Sequence, residues 1–380
     1  MKLVFVDPKC PEPYDADSLG RRGLGGTEAT VVRVGTSLSA FADVSIVQHN
    51  RSAPVHASDS LRFLPWQELA AATAQADHLI FIQRAQDLAR LTLKPGARCW
   101  IWLHNFVGEE VPFYWRDHWL HKIGIICVSR THAQRTLEYL HSMTTGRLAA
   151  PWVLRGGLTY VHNPVDAGPA RGVATVDVDK LVFFSSPHKG LEQVIARFDA
   201  AYREMPALRL HVADPGYFKR FDAKLLEHPG IVRHGSLPHT QVLDHVREAL
   251  CVFYPQTRRP ETFGLVYAEA NAVGTPVLAH DFGAAREVLH PDNPTIDVHD
   301  ESRLIGLLRR WRAGERPAVA GDPRFSLANV TAQWLRLFRD PEAFLCEPHD
   351  QGPAIARQPT TTSAIARGSS RAITTTTSSA

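Results

Sequence analysis

The chain has 380 residues, of which 44% are hydrophobic and 21% charged, and its 42 basic and 39 acidic side chains leave a formal net charge of +3. That length calls for more than one core, because single cores stop growing near roughly 250–300 residues. So balanced a charge argues against nucleic acid as the main partner. No apolar run approaches the ~18 residues of a membrane span.

Met1–Asp7 holds an apolar run too short for a signal-peptide core and reads as the first strand of a buried parallel sheet. Further strands are predicted at Val44–Gln48, His78–Ile82, Cys99–Leu103 and Ile123–Val128, with helices at Thr27–Ala40, Trp66–Gln75 and Arg130–Leu140. A second alternating series begins with a strand at Leu181–Ser185 and a helix at Gly190–Met205. Strands follow at Leu208–Ala213, Cys251–Tyr254 and Thr275–Ala279, with helices at Thr240–Ala249, Gly264–Val273 and Ser302–Ala313. Strands alternating with helices predict right-handed βαβ units, and two such series predict two open α/β domains joined near His162–Asp166.

Five scattered cysteines (Cys10, Cys99, Cys127, Cys251, Cys346) include no CxxC pair and point to a reducing compartment rather than a disulfide framework. His118 and His121 have helical ligand spacing but no third ligand nearby, so a structural or surface role is expected and no metal. From Pro353 to Ala380, Ala, Ser and Thr dominate and Arg357, Arg367 and Arg371 are the only charges. Such a tail buries too little apolar surface to offset its ordering entropy and is expected to be disordered.

Several loops carry candidate chemistry. Gly25 and Gly26 precede a helix, where paired glycines bring backbone N–H groups close to a phosphate or sugar. His104 ends an apolar strand and would project at the cleft edge, where a neutral imidazole can donate a hydrogen bond. Phe113–Leu120 is rich in aromatics, which stack on sugars and sit at membrane interfaces, but which equally suit a helix packed on its own sheet. Ser185–Leu191 joins a strand to a helix at the ligand-facing end of a sheet, placing Lys189 beside Gly190 to neutralise a departing diphosphate. The densest signal is Glu261–Val277, reading E-x-F-G-L-V-x-x-E-A-x-A-x-G-x-P-V. It sets Glu261 and Glu269 around Phe263-Gly264-Leu265 at a helix start, whose unpaired N–H groups and positive dipole end suit a phosphate.

This run resembles the Glu-x7-Glu signature of retaining glycosyltransferases with the GT-B fold, in particular family 4. The resemblance extends nearly to residue 345 and implies two Rossmann-like parallel-sheet domains facing across a cleft. These are an acceptor-side domain over 1–165 and a nucleotide-sugar domain over 166–324. A helix over 325–345, with Leu327, Val330, Trp334 and Phe338 at helical spacing, would return to the first domain, leaving 346–380 as the tail.

By resemblance, Glu261 contacts the transferred sugar, Glu269 the ribose, and the backbone at Phe263, Gly264 and Leu265 the phosphate and sugar. Lys189 would bind the donor diphosphate, Gly25 and Gly26 would reach it from the other domain, and His104 would touch the sugar. The chain departs from the family at Phe183–Ser186, where an arginine is usual; Arg258 and Arg259 are candidate substitutes.

The implied reaction transfers a sugar from a UDP- or GDP-sugar to a glycan, glycolipid or small-molecule acceptor, without cofactor or metal. The implied setting is bacterial-type glycan synthesis in the cytoplasm, and it is compatible with peripheral contact at the inner face of the membrane. A GT-B sugar-nucleotide epimerase and a non-catalytic sugar-nucleotide binder are the alternatives.

Overall fold

The computed structural model describes residues 1–85, 88–108, 118, 120–142, 153–166, 174–213 and 222–346. The aromatic run falls outside the described residues except for His118 and Leu120, as does the tail from residue 347.

Met1–Leu345 forms one packed unit built on two sheets. The first contains β1 (Lys2–Asp7), β2 (Asp43–Gln48), β3 (Val55–Ser58), β4 (Leu61–Pro65), β5 (His78–Ile82), β6 (Arg98–Trp102), β7 (Gly124–Cys127) and β8 (Leu158–Tyr160), in the order β3-β4-β2-β1-β5-β6-β7-β8. The second contains β9 (Asp177–Phe183), β10 (Arg209–Ala213), β11 (Ile231–Gly235), β12 (Ala249–Tyr254), β13 (Val277–His280) and β14 (Thr295–Ile296), in the order β11-β10-β9-β12-β13-β14. Every described pair runs parallel except β3–β4. Parallel strands are covered on both faces and so read as unbroken apolar runs. Leu3, Val4, Phe5 and Val6 of β1 are all buried.

The helices with described bounds are, in chain order, α1 (Ser18–Arg21), α2 (Gly26–Leu38), α3 (Leu69–Thr73), α4 (Arg130–Ser142), α5 (Leu191–Glu204), α6 (His239–Arg247), α7 (Leu265–Ala272), α8 (Ala285–Val288), α9 (Glu301–Arg310), α10 (Leu327–Arg339) and α11 (Pro341–Cys346). The expected helix at Trp66–Gln75 is shorter: a 3-10 turn at Trp66–Glu68 leads into α3. α9 stops before its predicted end and passes into a π turn, Trp311–Glu315, in which Gly314 has φ 102°.

The chain crosses between the sheets twice, and the crossings lie side by side. Val165 N–H donates to the Phe325 carbonyl at 2.8 Å, and Val165 and Ser326 form an isolated parallel bridge. Ser326 then caps α10, accepting from Asn329 N–H at 3.3 Å. From there α10 packs on the first sheet. Trp334 stacks edge-on against Trp102 at 4.8 Å and Phe5 at 6.2 Å, and Thr331 shares a hydrogen bond with Ser37 of α2. Buried aromatic pairs of this kind fix the return of the helix through shape as well as area.

Candidate active site

The carboxyl ends of both sheets open on one cleft of about 390 Å³, within the range of small-molecule sites. Gly25, Gly26, His104, Lys189, Glu261, Phe263, Gly264, Leu265 and Glu269 all line it. These nine residues come from both domains and from four separate chain segments.

In the second domain, β9 ends at Phe183 and a 3-10 turn, Pro187–Lys189, leads through Gly190 into α5. β12 ends at Tyr254, and the loop after it carries Glu261 to the start of α7. Gly190 and Gly264 both have left-handed backbone, with φ of 98° and 89°; a Cβ at Gly190 would sit 2.7 Å from Gln256 Cβ, and one at Gly264 would strike the Tyr267 ring. Lys189 Nζ donates to Glu261 Oε1 at 3.1 Å and to Oε2 at 2.9 Å, while Tyr254 Oη donates to Oε1 at 2.8 Å. The Glu261 side chain is buried, whereas that of Lys189 is 37% exposed. A cation is therefore held at the cleft wall by a carboxylate that itself stays inside.

Glu269 lies one turn further along α7. Arg33 Nη1 of α2 donates to its Oε1 at 3.1 Å, and His239 Nε2 approaches the same oxygen at 3.3 Å without hydrogen-bond alignment. Burial alone would raise this carboxyl, but His239 and Arg33 outweigh it and hold the group down to about 2. Both contacts fall on Oε1.

The first domain closes the other side. Gly25 caps α2 in extended backbone, and a Cβ on Gly26 would meet Leu265 Cδ1 of the second domain at 3.2 Å, so the missing side chain lets the walls approach. Thr262 is gripped across the cleft: its Oγ1 donates to the His104 carbonyl at 2.7 Å, and Ser129 Oγ donates to its carbonyl. His104 N–H is held by Gln83 Oε1 at 3.1 Å. Burial, reinforced by neighbouring His132, pushes the His104 imidazole down to about 3, so it is neutral, and its Nε2 has no hydrogen-bond partner among the described residues. A buried orphan of this kind suits a ligand atom.

Of the two candidate substitutes for the absent arginine, Arg259 lines the cleft. Arg258 points to Glu192 at 3.4 Å and is 60% exposed.

Four residues escaped the sequence reading. Arg33 carried a signal, since a lone arginine inside the apolar helical run Ala29–Val34 implies a buried partner. His239 and Glu287 carried none. Glu28, next to the paired glycines, lines the cleft; burial, with help from Asp7, pushes its carboxyl up to about 7 against the opposing pull of its own backbone N–H and Arg22.

Two parallel-sheet α/β domains meeting at such a cleft define the GT-B fold, and the fold of this chain is GT-B. Within it, residues 180–315, which carry Lys189, Glu261 and Glu269, match the model of the family described as Glycosyl transferases group 1. Over 74 residues the chain is 36% identical to D-inositol 3-phosphate glycosyltransferase 1 of Catenulispora acidiphila, a stretch covering 19% of this chain and 17% of that relative. Among solved structures it is similar to AviGT4, a glycosyltransferase involved in avilamycin A biosynthesis, at 17% identity and a TM-score of 0.59 over 90% of this chain and 98% of that one. It is also similar to the lipopolysaccharide outer core galactosyltransferase WaaB, at 14% identity and a TM-score of 0.55 over 90% of this chain and all (100%) of that one. Anabaena Alr3699/HepE, solved with UDP and glucose, aligns at 17% identity and a TM-score of 0.52 over 90% and 100% of the two chains. At these identities the structural likeness is one of fold.

Proposed function

We propose that the protein is a retaining, metal-independent glycosyltransferase similar to family 4, moving a sugar from a nucleoside-diphosphate sugar to an acceptor hydroxyl. The observation that carries this reading is the Lys189–Glu261 pair at the α7 N-terminus, with Glu269 one helical turn further in. A cation, a row of helix N–H groups and two acids with spare acceptor capacity are what a sugar diphosphate needs.

Each residue then has a role. Lys189, Arg259 and the N–H groups at Gly264 and Leu265 stabilise negative charge developing on the departing diphosphate. Glu261 Oε2 receives one hydrogen bond against two on Oε1, so it can accept from a sugar hydroxyl while still holding Lys189. Glu269 Oε2 is the oxygen left to accept from ribose. His104 Nε2 serves the sugar from the opposite wall, and Gly25 and Gly26 let the first-domain backbone approach the phosphate.

The acceptor hydroxyl attacks the anomeric carbon on the face from which the diphosphate leaves, and the diphosphate assists removal of its proton. No protein nucleophile is assigned: both carboxylates are committed to cationic side chains, and the two-carboxylate logic of glycoside hydrolysis does not transfer to them.

UDP and GDP both remain donor candidates; UDP ranks first, because UDP is bound in Alr3699/HepE and in the alpha-glucosyltransferase AGT, which share the fold. The acceptor is a glycan, glycolipid or small molecule of bacterial-type glycan synthesis. The proposed location is the cytoplasm, a setting compatible with peripheral membrane contact. Among the described residues no helix is long and apolar enough to cross a membrane.

A thermal-shift screen of UDP, GDP, ADP and their sugar conjugates, with Glu269→Ala alongside, tests the site. One nucleotide should raise the midpoint and lose that effect in the variant; no shift from any of them sinks the reading. Turnover should require acceptor and persist in chelator, whereas a changed sugar without acceptor would indicate an epimerase.

A further inference from the structure

Behind the cleft wall, the second domain gathers three histidines from three elements. His211 stands on β10, His234 on the neighbouring edge strand β11 and His245 on α6. His211 Nδ1 lies 2.9 Å from His234 Nε2, and the His234 and His245 rings approach to 4.2 Å between centroids. One ligand nitrogen from each lies within 4.8 Å of the other two, the one such His/Cys/Asp/Glu group among the described residues. All three side chains are half-buried, so an ion could reach them from solvent without unfolding.

We propose that His211, His234 and His245 form a binding site for a divalent transition metal of the zinc class, separate from the donor chemistry. Zinc binds imidazole nitrogen at about 2.0–2.1 Å in tetrahedral geometry, which sets ligand nitrogens roughly 3.3 Å apart. The 2.9 Å between His211 Nδ1 and His234 Nε2 is below that spacing and the 4.8 Å bound on the group is above it, so the rings must turn to admit a metal. Three nitrogen ligands leave a fourth position for water, and imidazole donors suit zinc, copper, nickel and cobalt over magnesium or calcium.

Lys180 and Glu248 bear on the site. Lys180 Nζ donates to Glu248 Oε2 at 2.7 Å and sits 3.1 Å from His245 Nδ1. Glu248 neutralises this ammonium and can retain it when His245 turns a lone pair to the metal.

The location gives the site a consequence. Ala213 at the end of β10, Leu237 in the loop after β11, and His239 and Val242 of α6 line one wall of the cleft. A metal joining β10, β11 and α6 would brace that wall, and with it His239 beside Glu269.

The test uses the tag-free full chain, stripped with a chelator and titrated with zinc against a chromophoric competitor, with cobalt as a spectroscopic probe. Wild type should bind one tight equivalent, show tetrahedral cobalt bands and gain thermal stability with zinc. His234→Gln and His211→Asn should each weaken binding by about a hundredfold or more and abolish the stability gain. Equal tight binding in wild type and both variants, or no tight equivalent in wild type, would overturn the proposal. Zinc X-ray absorption on wild type reads the ligands even where a variant misfolds; fewer than three imidazole nitrogens around the metal would also overturn it.

Discussion

Two buried carboxylates tie the domains together, and they differ in how fully they are used. Glu287 of α8 reaches across to α4, accepting from Arg130 N–H at 2.8 Å, Thr131 N–H at 2.8 Å, Thr131 Oγ1 at 2.7 Å and His162 Nε2 at 3.0 Å. It caps a helix of the other domain from outside that domain's chain. Glu269 instead meets Arg33 and His239 on one oxygen only. Both carboxyls are held down to about 2, although burial pushes each upward: His162 and Thr131 prevail at Glu287, His239 and Arg33 at Glu269. Equal acidity thus hides unequal capacity. A saturated carboxylate holds structure, and one with a free oxygen can serve a ligand.

Glu287→Ala should break this comparison most visibly. It strands two N–H groups, a hydroxyl and His162 in a buried site, a loss of about 3–5 kcal/mol. Denaturant unfolding should show a large drop in midpoint, and a smaller drop than that of Glu269→Ala would reverse the assigned roles. Lys189→Ala leaves the buried Glu261 carboxylate with Tyr254 alone, so the midpoint should fall, though by less than in Glu287→Ala, while kcat falls by about a hundredfold or more, as when one donor to a developing anion is lost. A change confined to KM would move Lys189 from the reacting phosphate to ground-state binding.

Glu269→Gln should weaken donor affinity by about tenfold or more, the scale of a hydrogen bond to a charged group. Titration calorimetry with the nucleotide checks it, and unchanged affinity would remove Glu269 from the donor site.

pH separates the acids further. Glu287 and Glu269 have folded pKa values below the unfolded range, so their stabilisation is present above about pH 4.5 and is lost as pH falls toward about 2. Glu28 has the opposite sign: its contribution is full below about pH 4.5 and is lost as pH rises through about 7. Glu28→Gln should therefore gain stability relative to wild type at about pH 8 and gain little at about pH 5. Equal effects at both would show that Glu28 titrates normally.

What was legible in the chain follows from locality. β1, β5 and β12 stood out because central parallel strands are apolar on both faces. β3 and β11 did not, because edge strands are half exposed: Val55–Ser58 has three exposed residues, and no residue of Ile231–Gly235 is fully buried. The acids at Glu261 and Glu269 were readable because one loop and one helix carry both. Arg33 sits 236 residues from its partner Glu269, and Glu287 is 157 residues from Arg130. The three histidines likewise come from separate elements, and no spacing along the chain announces them.

By itself the amino-acid sequence determined the two α/β series, the loops at their strand ends and the acid–helix run that suits a sugar diphosphate. These depend on apolar periodicity and on neighbours within a few residues. Only the tertiary structure decided which acid is saturated, which arginine lines the cleft and where three imidazoles converge. Hydrogen-bond capacity and ligand distance are properties of side chains brought together from remote segments, and they come into being only when the sheets pack.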